Sequence, residues 1–282
     1  MSRLQLFNGQ FFKENEQLLP VSNRGFCYGD GFFESMRISN DRLLFANEHW
    51  NRLNRASSFL GITIPEILNT KSFERYAIEL AATNGFSNAR IRFQGFRMGE
   101  GRYTPENNLL GWSMVCQELD SSTYVLNTVG LKLGFCNTHR INPAPQSSFK
   151  SSNSLPYILG GMFAQRHCLD DCLLLDTQGH VAEATGSNIV LIKGNLLSTP
   201  DLKNGGVPGV MRSVVIREAE ALGLHAKESP ISTSDVLAAD ELFLTNAARG
   251  IQWVGAIEKK RYFKKVGGMV LDHINQKYLE FN

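Results

Sequence analysis

RGFCYGDGFFE, the stretch at residues 24–34, lies inside a longer region, residues 4–45, whose pattern predicts β-structure. Leu4 and Leu6 alternate with polar residues and lead to Asn8-Gly9, a dipeptide typical of a β-hairpin turn. On the other side, residues 37–45 have the pattern of a strand, a turn and a second strand. We therefore expect the chain to begin with strands on both sides of this stretch.

Two helices are predicted to follow these strands. Asn47 is the predicted N-cap of the first helix and Gly61 its end, because apolar residues recur between them at helical spacing. The polar face of this helix is predicted to carry His49 and Arg52. The second helix is predicted over residues 72–83, and alternation in residues 89–93 predicts a further strand.

The chain is long enough for two domains of ordinary size. Between about residues 116 and 126 the pattern loses its periodicity and becomes polar, which is the composition of a linker. We predict an N-terminal α/β domain at 1–117, a linker at 118–126 and a C-terminal domain at 127–282. In the C-terminal domain the predicted elements are strands near 128–135, 173–175 and 241–245, a hairpin around 193–195, and helices over 210–222 and 269–279.

A loop rich in Pro and Ser, residues 142–148, leads directly to Lys150. A loop in this place can present a side chain, and the uncharged sequence around Lys150 favours a neutral amine that can act as a base. An apolar helical stripe is predicted just beyond, at Leu155, Ile158, Leu159, Met162 and Phe163.

The composition favours a cytoplasmic protein with a small-molecule partner. The 29 Lys and Arg residues nearly balance 27 Asp and Glu residues, so the net charge of +2 indicates neither nucleic acid nor a membrane surface as partner. The N-terminus lacks the apolar run of a secretory signal, and five scattered cysteines suit a reducing compartment. The six histidines show no metal-ligand spacing, so no metal is expected.

Five blocks of this sequence, in this order, resemble the class IV aminotransferases, the fold-type IV pyridoxal-phosphate enzymes. They are RGFCYGDGFFE at 24–34 with NEHWNRL at 47–53, FKSSN at 149–153, EATGSNI at 183–189, VPGVMR at 207–212 and LTNA at 244–247. The family includes branched-chain aminotransferases, D-amino acid aminotransferases and aminodeoxychorismate lyases. Because the blocks span most of the chain, the match is far more specific than any one of them.

The resemblance implies a two-domain α/β (α+β) fold with a smaller N-terminal α/β domain and a larger, β-rich C-terminal domain that binds pyridoxal 5'-phosphate. It identifies Lys150 as the catalytic lysine that holds the cofactor, and Glu183 as the partner of the pyridine nitrogen. The phosphate contacts that it implies are Arg52, the start of the helix at Val210 and Met211, and Thr245 with Asn246. A homodimer is also implied by the resemblance.

The substrate stays open between several classes. Arg97, Arg102 and Tyr103 are loop residues that could bind a substrate carboxylate. The resemblance adds Phe33, at a position where the D-amino acid branch has a carboxylate-binding tyrosine, and Ala247, which replaces a hydroxyl residue of many transaminases. The main interpretation is amino transfer between an amino acid, with the branched-chain ones among the candidates, and a 2-keto acid. The alternatives are an aminodeoxychorismate lyase and a non-catalytic cofactor-binding homologue.

Overall fold

The computed structural model describes residues 3–280 and contains two compact units. The first comprises the described residues up to Ser122 together with Phe149–Asn153. The second comprises Thr123–Ser148 and the described residues from Ser154 onward. The domain boundary predicted from composition therefore lies near a real change of unit, but residues 127–282 do not all cluster together.

The first unit is an antiparallel sheet covered by helices. Its elements are β1 (Leu4–Phe7), β2 (Gln10–Lys13), α1 (Arg24–Tyr28), β3 (Gly31–Ser39), β4 (Arg42–Leu43), α2 (Ala46–Leu60), α3 (Thr70–Thr83), β5 (Ala89–Arg97) and β6 (Leu110–Glu118). The strand order is β2-β1-β6-β5-β3-β4. The core contains Phe32 and Met36 of β3, Leu53 of α2, Phe73 of α3 and Trp112 of β6. Burial of these large side chains supplies most of the driving force for this unit.

The predicted turns of this unit are confirmed. Asn8 and Gly9 both have positive φ, as do Asn40 and Asp41, which suits the tight turns that join β1 to β2 and β3 to β4. The short helix α1 was not predicted, since the sequence analysis assigned strands to its region. It begins where the Asn23 side chain accepts a hydrogen bond from the Phe26 amide.

Helix α2 ends at the predicted Gly61, which has a left-handed conformation. The predicted start was wrong: Asn47 lies inside the helix, and Phe45 occupies the N-cap position in a left-handed conformation. His49 and Arg52, which were predicted on the polar face of this helix, are buried. Both contact the Glu34 carboxylate of β3, and that partner is not visible in the local sequence pattern.

The predicted linker is packed rather than loose. Strand β6 continues to Glu118, and the carbonyl groups of Ser121 and Ser122 accept hydrogen bonds from Arg37 and Ser39 within the first unit. In the second unit, the amide of Tyr124 donates to the Asn275 side chain over 3.0 Å. Backbone groups of this segment therefore have hydrogen-bond partners, and the polar composition alone did not predict these contacts.

The segment Phe149–Asn153 belongs to the first unit because it pairs with the start of β3. The Phe33 amide donates to the Lys150 carbonyl over 2.8 Å, and the Ser152 amide donates to the Gly31 carbonyl over 2.9 Å. The prediction that placed this segment in the C-terminal domain missed these contacts, which join residues far apart in sequence.

The second unit is built around a nine-stranded mixed sheet. Its elements are β7 (Leu131–Phe135), α4 (Leu155–Arg166), β8 (Asp171–Leu175), β9 (Val181–Ala184), β10 (Asn188–Lys193), β11 (Leu196–Pro200), α5 (Val210–Glu218), β12 (His225–Ser229), α6 (Thr233–Ala238), β13 (Glu241–Asn246), β14 (Gly250–Ile257), β15 (Lys260–Arg261) and α7 (Val266–Tyr278). The strand order is β12-β11-β10-β13-β14-β7-β8-β9, and β15 pairs with β14.

Most predicted elements of this unit are present. The hairpin around 193–195 joins β10 to β11, and β8 ends at Leu175, the predicted end of this strand. The helix predicted over 210–222 ends at Glu218, and a short 3-10 turn follows at Glu220–Leu222. Four of the five apolar residues predicted as a stripe on α4 are exposed, and only Phe163 is buried.

Within residues 3–280, no helix has the length and apolar character needed to cross a membrane.

Candidate active site

Lys150, the predicted cofactor lysine, lies in the short segment that pairs with β3. Its side chain is half-buried, and its Nζ lies 5.0 Å from the centroid of the Phe33 ring. Its backbone is held by the hydrogen bond from the Phe33 amide. The structure therefore places two of the predicted residues, Lys150 and Phe33, side by side in the first unit.

Arg92 is a third member of this cluster, and the sequence analysis missed it. Its guanidinium carbon lies 4.2 Å from the centroid of the same Phe33 ring. Strand alternation explains the position, because β5 directs Ile91 and Phe93 into the core and Arg92 to the opposite face. The alternation is visible in residues 89–93, but the pairing of this strand with β3, which places Arg92 beside Phe33, is not.

The electrostatic environment of Arg92 is unusual for an arginine. Burial, and then the nearby charge of Arg90, lower the pKa of Arg92 from its usual value. Its guanidinium donates to the Gln94 side chain over 3.0 Å. Among residues 3–280, no carboxylate forms an ion pair with Arg92. A partly buried guanidinium without a carboxylate partner favours an anionic ligand.

Arg52, the predicted phosphate-binding arginine, is only 2% exposed and is paired within the first unit. Its Nε and Nη2 donate to the two oxygens of Glu34 over 2.7 and 2.6 Å, and His49 Nδ1 lies 2.7 Å from the same carboxylate. Burial by itself would raise the pKa of Glu34, but the charge and hydrogen bonds of Arg52 and His49 outweigh it and lower this pKa to about 2. The role of Arg52 toward a phosphate stays a prediction.

The three residues predicted as loop residues that bind a substrate carboxylate differ in their surroundings, and Arg97 is the last residue of β5 rather than part of a loop. Arg97 is buried and donates to Asp30, to Asn108 and to the carbonyls of Leu60 and Gly61, so its guanidinium supports the fold of the first unit. Arg102 is exposed, and its carbonyl accepts a hydrogen bond from Arg24. Tyr103 is 92% exposed and lies against Tyr28. The Arg97 guanidinium therefore contributes to the fold of the first unit, and its role toward a substrate carboxylate stays a prediction.

Glu183, the predicted partner of the ring nitrogen, is 3% exposed at the end of β9. One oxygen of its carboxylate accepts hydrogen bonds from the Tyr157 hydroxyl over 2.8 Å and from the Val207 amide over 3.1 Å. The other oxygen accepts one from the Asn188 side chain over 3.0 Å. Several donors stabilise a buried carboxylate in its charged form. The sequence analysis did not single out Tyr157 or Asn188.

The start of α5 in the second unit lacks a side-chain cap. Gly209 is the N-cap of this helix, so it has no side chain to cover the first amide groups, including those of Val210 and Met211. A Cβ atom at Gly209 would collide with the Asn188 side-chain oxygen, so that side chain would have to shift if another residue replaced the glycine.

Helix α5 packs against β13, which carries the predicted phosphate contacts Thr245 and Asn246. Within the described part of the chain, no hydrogen-bond partner reaches the buried hydroxyl of Thr245. The Asn246 side chain, in contrast, donates to the Gly186 carbonyl and accepts from the Ala248 amide. The Ala247 carbonyl accepts a hydrogen bond from the Tyr124 hydroxyl. Thr245 is therefore the residue of this block with an unused polar group.

Comparisons with known proteins cover nearly the whole chain. A putative branched-chain-amino-acid aminotransferase of Methanocaldococcus jannaschii is 29% identical over 276 residues, which are 96% of this chain and 93% of that protein. An aminodeoxychorismate lyase of Vibrio harveyi is 26% identical over 242 residues, which are 85% of this chain and 87% of that protein. Both reaction types predicted from the sequence are thus represented among the relatives.

The fold agrees with the crystal structure of the branched-chain aminotransferase of Thermoproteus uzoniensis with norvaline. The TM-score is 0.89 at 22% identity, and the superposition covers 98% of this chain and 94% of that chain. The predicted two-domain fold-type IV architecture is therefore confirmed. Residues 31–257 match the family described as Amino-transferase class IV. Because this match spans most of the 282 residues, the chain belongs to the class IV aminotransferase family.

Proposed function

We propose that this protein is a pyridoxal-phosphate-dependent aminotransferase that moves an amino group between an amino acid and a 2-keto acid. The observation that supports the proposal is the family match over residues 31–257, and this range contains the residues that we assign to the cofactor. These are the lysine at 150, the buried carboxylate of Glu183 and the open start of α5. A homologue that had lost its activity would have no need to keep all three.

The residues of the chain fit the cofactor chemically. The buried Thr245 hydroxyl, for which residues 3–280 provide no partner, supports binding of a phosphate oxygen, as do the amides of Val210 and Met211. Glu183 is suited to a protonated pyridine nitrogen, because its carboxylate is buried and stabilised by donors. Arg52 could add a charge for the phosphate while Glu34 holds its guanidinium.

Bound pyridoxal phosphate supplies an electron sink and a carrier for the amino group. Lys150 Nζ would hold the cofactor, and its amine would act as the base that moves the proton of the substrate Cα. The Glu183 carboxylate would favour a protonated ring nitrogen. The apolar ring of Phe33 excludes water from one side of the Lys150 amine.

Arg92 is the group of the first unit that we assign to a substrate carboxylate. It contacts the same Phe33 ring as Lys150, and no described carboxylate neutralises it. We expect Arg92→Gln to raise KM for both substrates by about tenfold or more, because a charge-assisted hydrogen bond is lost. Arg90→Gln, at an exposed position two residues earlier on β5, is the matched control. Equal KM values in the two variants would contradict the assignment.

An aminodeoxychorismate lyase is the second candidate. The observation that favours it is the similarity to the lyase of Vibrio harveyi over 85% of this chain. Both activities use the same cofactor groups, so geometry around Lys150 does not separate them. A lyase releases pyruvate from aminodeoxychorismate without an acceptor, whereas an aminotransferase requires a 2-keto acid.

The test has two steps. Purified protein with pyridoxal phosphate is reduced with borohydride and digested, and the labelled peptide is expected to carry the cofactor on Lys150. Labelling at another lysine, or none, would overturn the proposal. The protein is then assayed with branched-chain and other amino donors against several keto acids, and with aminodeoxychorismate alone. Pyruvate release without a keto acid would show lyase activity and contradict the aminotransferase proposal.

A further inference from the structure

We propose that Tyr157 is a positioning residue that weakens the hold of Glu183 on the cofactor ring nitrogen, by donating a hydrogen bond to the same carboxylate. This inference rests on the proposed function, since it assigns the ring nitrogen to Glu183. It adds a residue from the first turns of α4 to the cofactor site, and it predicts the sign of the effect of removing the Tyr157 hydroxyl.

The geometry around Glu183 separates the role of Tyr157 from simple support. The Tyr157 hydroxyl donates to Glu183 Oε1 over 2.8 Å. The Val207 amide donates to the same oxygen, and the Asn188 side chain donates to Oε2. Both oxygens therefore keep a donor from the second unit if the Tyr157 hydroxyl is removed. The orientation of the carboxylate does not depend on Tyr157, but its electron density does.

The Tyr157 phenol remains a donor over the whole working pH range. Burial, and then the negative charge of Glu183, raise the pKa of Tyr157 far above its usual value. A neutral phenol beside a buried carboxylate can only donate to it, and hydrogen bonds to a charged acceptor are stronger than those between neutral groups. Each such donor takes up part of the negative charge that Glu183 would otherwise offer to a protonated ring nitrogen.

The aromatic ring of Tyr157 has a separate structural function. It is half-buried and packs against a cluster that includes Phe163, Cys172 and Leu174. Tyr157→Phe keeps this ring and removes only the hydroxyl. Tyr262→Phe is the matched control, because Tyr262 is a second tyrosine of the same unit and its buried hydroxyl donates to the Val236 carbonyl over 3.0 Å.

The experiment measures how much the ring nitrogen contributes to binding. Protein freed of cofactor is titrated with pyridoxal phosphate and with 1-deazapyridoxal phosphate, in which a C–H group replaces the ring nitrogen. The ratio of the two dissociation constants reports the contact of the nitrogen with Glu183. We expect Tyr157→Phe to raise the preference for pyridoxal phosphate by about three- to tenfold. Tyr262→Phe should leave the preference at the wild-type value.

Three further variants test the path of the effect. In Glu183→Gln the preference should fall, and adding Tyr157→Phe to Glu183→Gln should not change it again, because the effect passes through the carboxylate. Placing 3-fluorotyrosine at position 157 gives a more acidic phenol and a stronger donor, so the preference should fall below the wild-type value. This second substitution tests the proposal with an intact hydroxyl if Tyr157→Phe folds poorly.

The outcomes separate this inference from the function that it rests on. A preference that is unchanged or lower in Tyr157→Phe, with Lys150 still labelled by the cofactor, would overturn the role of Tyr157 alone. Failure of the protein to bind pyridoxal phosphate through Lys150 would overturn both proposals. A raised preference in Tyr157→Phe that disappears in the Glu183→Gln background supports the inference.

Discussion

Thr245 shows how one buried hydroxyl can point to a ligand. Its side chain is almost fully buried in β13, and in residues 3–280 no partner reaches its Oγ1. A buried hydroxyl without a hydrogen-bond partner lowers the stability of the folded protein, so such a group in a native structure indicates a ligand or another function. A phosphate oxygen would supply the missing partner, and α5, whose start lacks a side-chain cap, packs against the same strand.

We therefore expect Thr245→Val to lower the affinity for pyridoxal phosphate by about tenfold, while the cofactor-free protein is as stable as the wild type or more stable. The measurements are a cofactor titration and thermal unfolding without cofactor. Thr199→Val is the control, because the equally buried Thr199 hydroxyl donates to the Ile189 carbonyl over 2.8 Å. That variant should lose stability by about 1–3 kcal/mol and keep its affinity. A Thr245→Val variant that keeps its affinity for pyridoxal phosphate, or a Thr199→Val variant that loses it, would contradict the role of Thr245.

At the residue scale, the sequence was a better guide to which residues match family motifs than to what their side chains contact. Lys150 and Glu183 were named because they match family motifs, and both occur in settings that suit their proposed roles. Arg97 was named because a loop arginine can bind a carboxylate, but its guanidinium is used inside the first unit. Arg92 was not named, since its contact with Phe33 depends on the register of β3 against β5.

At the element scale, a buried ion pair joins β3 to α2. Glu34 contacts Arg52 and His49, and all three side chains are buried. Removing one partner of such a pair leaves an uncompensated charge in the interior, which is more costly than losing an exposed pair. This contact explains why a helix face with His49 and Arg52 is buried although its sequence is polar.

We expect Glu34→Gln to reduce the free energy of unfolding at pH 7 by about 3–5 kcal/mol, measured by urea denaturation. Glu79→Gln is the control, since the Arg75–Glu79 pair on α3 is exposed and its loss should change stability little. Similar losses in both variants would show that burial of the Glu34 pair is not what matters.

The same contact predicts a pH dependence. The folded-state pKa of Glu34 is about 2, below its usual 4.5, so its contribution to stability is complete above about pH 4.5 and is lost as the pH falls toward 2. The difference in stability between wild type and Glu34→Gln should therefore shrink over this range. The difference is the proper measure, because Glu218 in the second unit also has a pKa lowered to about 2 and titrates in the same range. A constant difference would contradict this account of Glu34.

At the scale of the whole molecule, the exposed apolar face of α4 agrees with the homodimer that the resemblance implies. Leu155 and Ile158 are 63% and 57% exposed, and Leu159 and Met162 continue the same face at helical spacing. A connected apolar face of this kind is typical of a protein–protein contact. A second copy of this chain is the partner that we propose.

We expect the protein to sediment with about twice the 31.5 kDa mass of one chain. Ile158→Glu should shift it toward the monomer, because a charge in an apolar contact is costly. Val129→Glu, at an isolated and highly exposed position of the second unit, should leave the mass unchanged. A monomeric wild type, or a dimer in Ile158→Glu, would contradict the proposed face.

The sequence by itself determined the family, the fold class and most of the secondary structure of this protein. Hairpin turns at Asn8-Gly9 and Asn40-Asp41 and the helix end at Gly61 are local, because their backbone conformations depend on a few adjacent residues. The blocks around Lys150, Glu183 and Thr245 could be identified in the same way, since each is a short run of adjacent residues.

The tertiary structure decided which side chains are buried and what they contact. It placed Phe149–Asn153 beside β3, buried Arg52 against Glu34, used Arg97 inside the first unit and brought Tyr157 to Glu183. The first three contacts lie within the first unit. The contact of Tyr157 with Glu183 joins α4 to β9 in the second unit. No local pattern contains this information, because the partner of a buried polar group is chosen by packing and by the cost of leaving that group without a hydrogen bond.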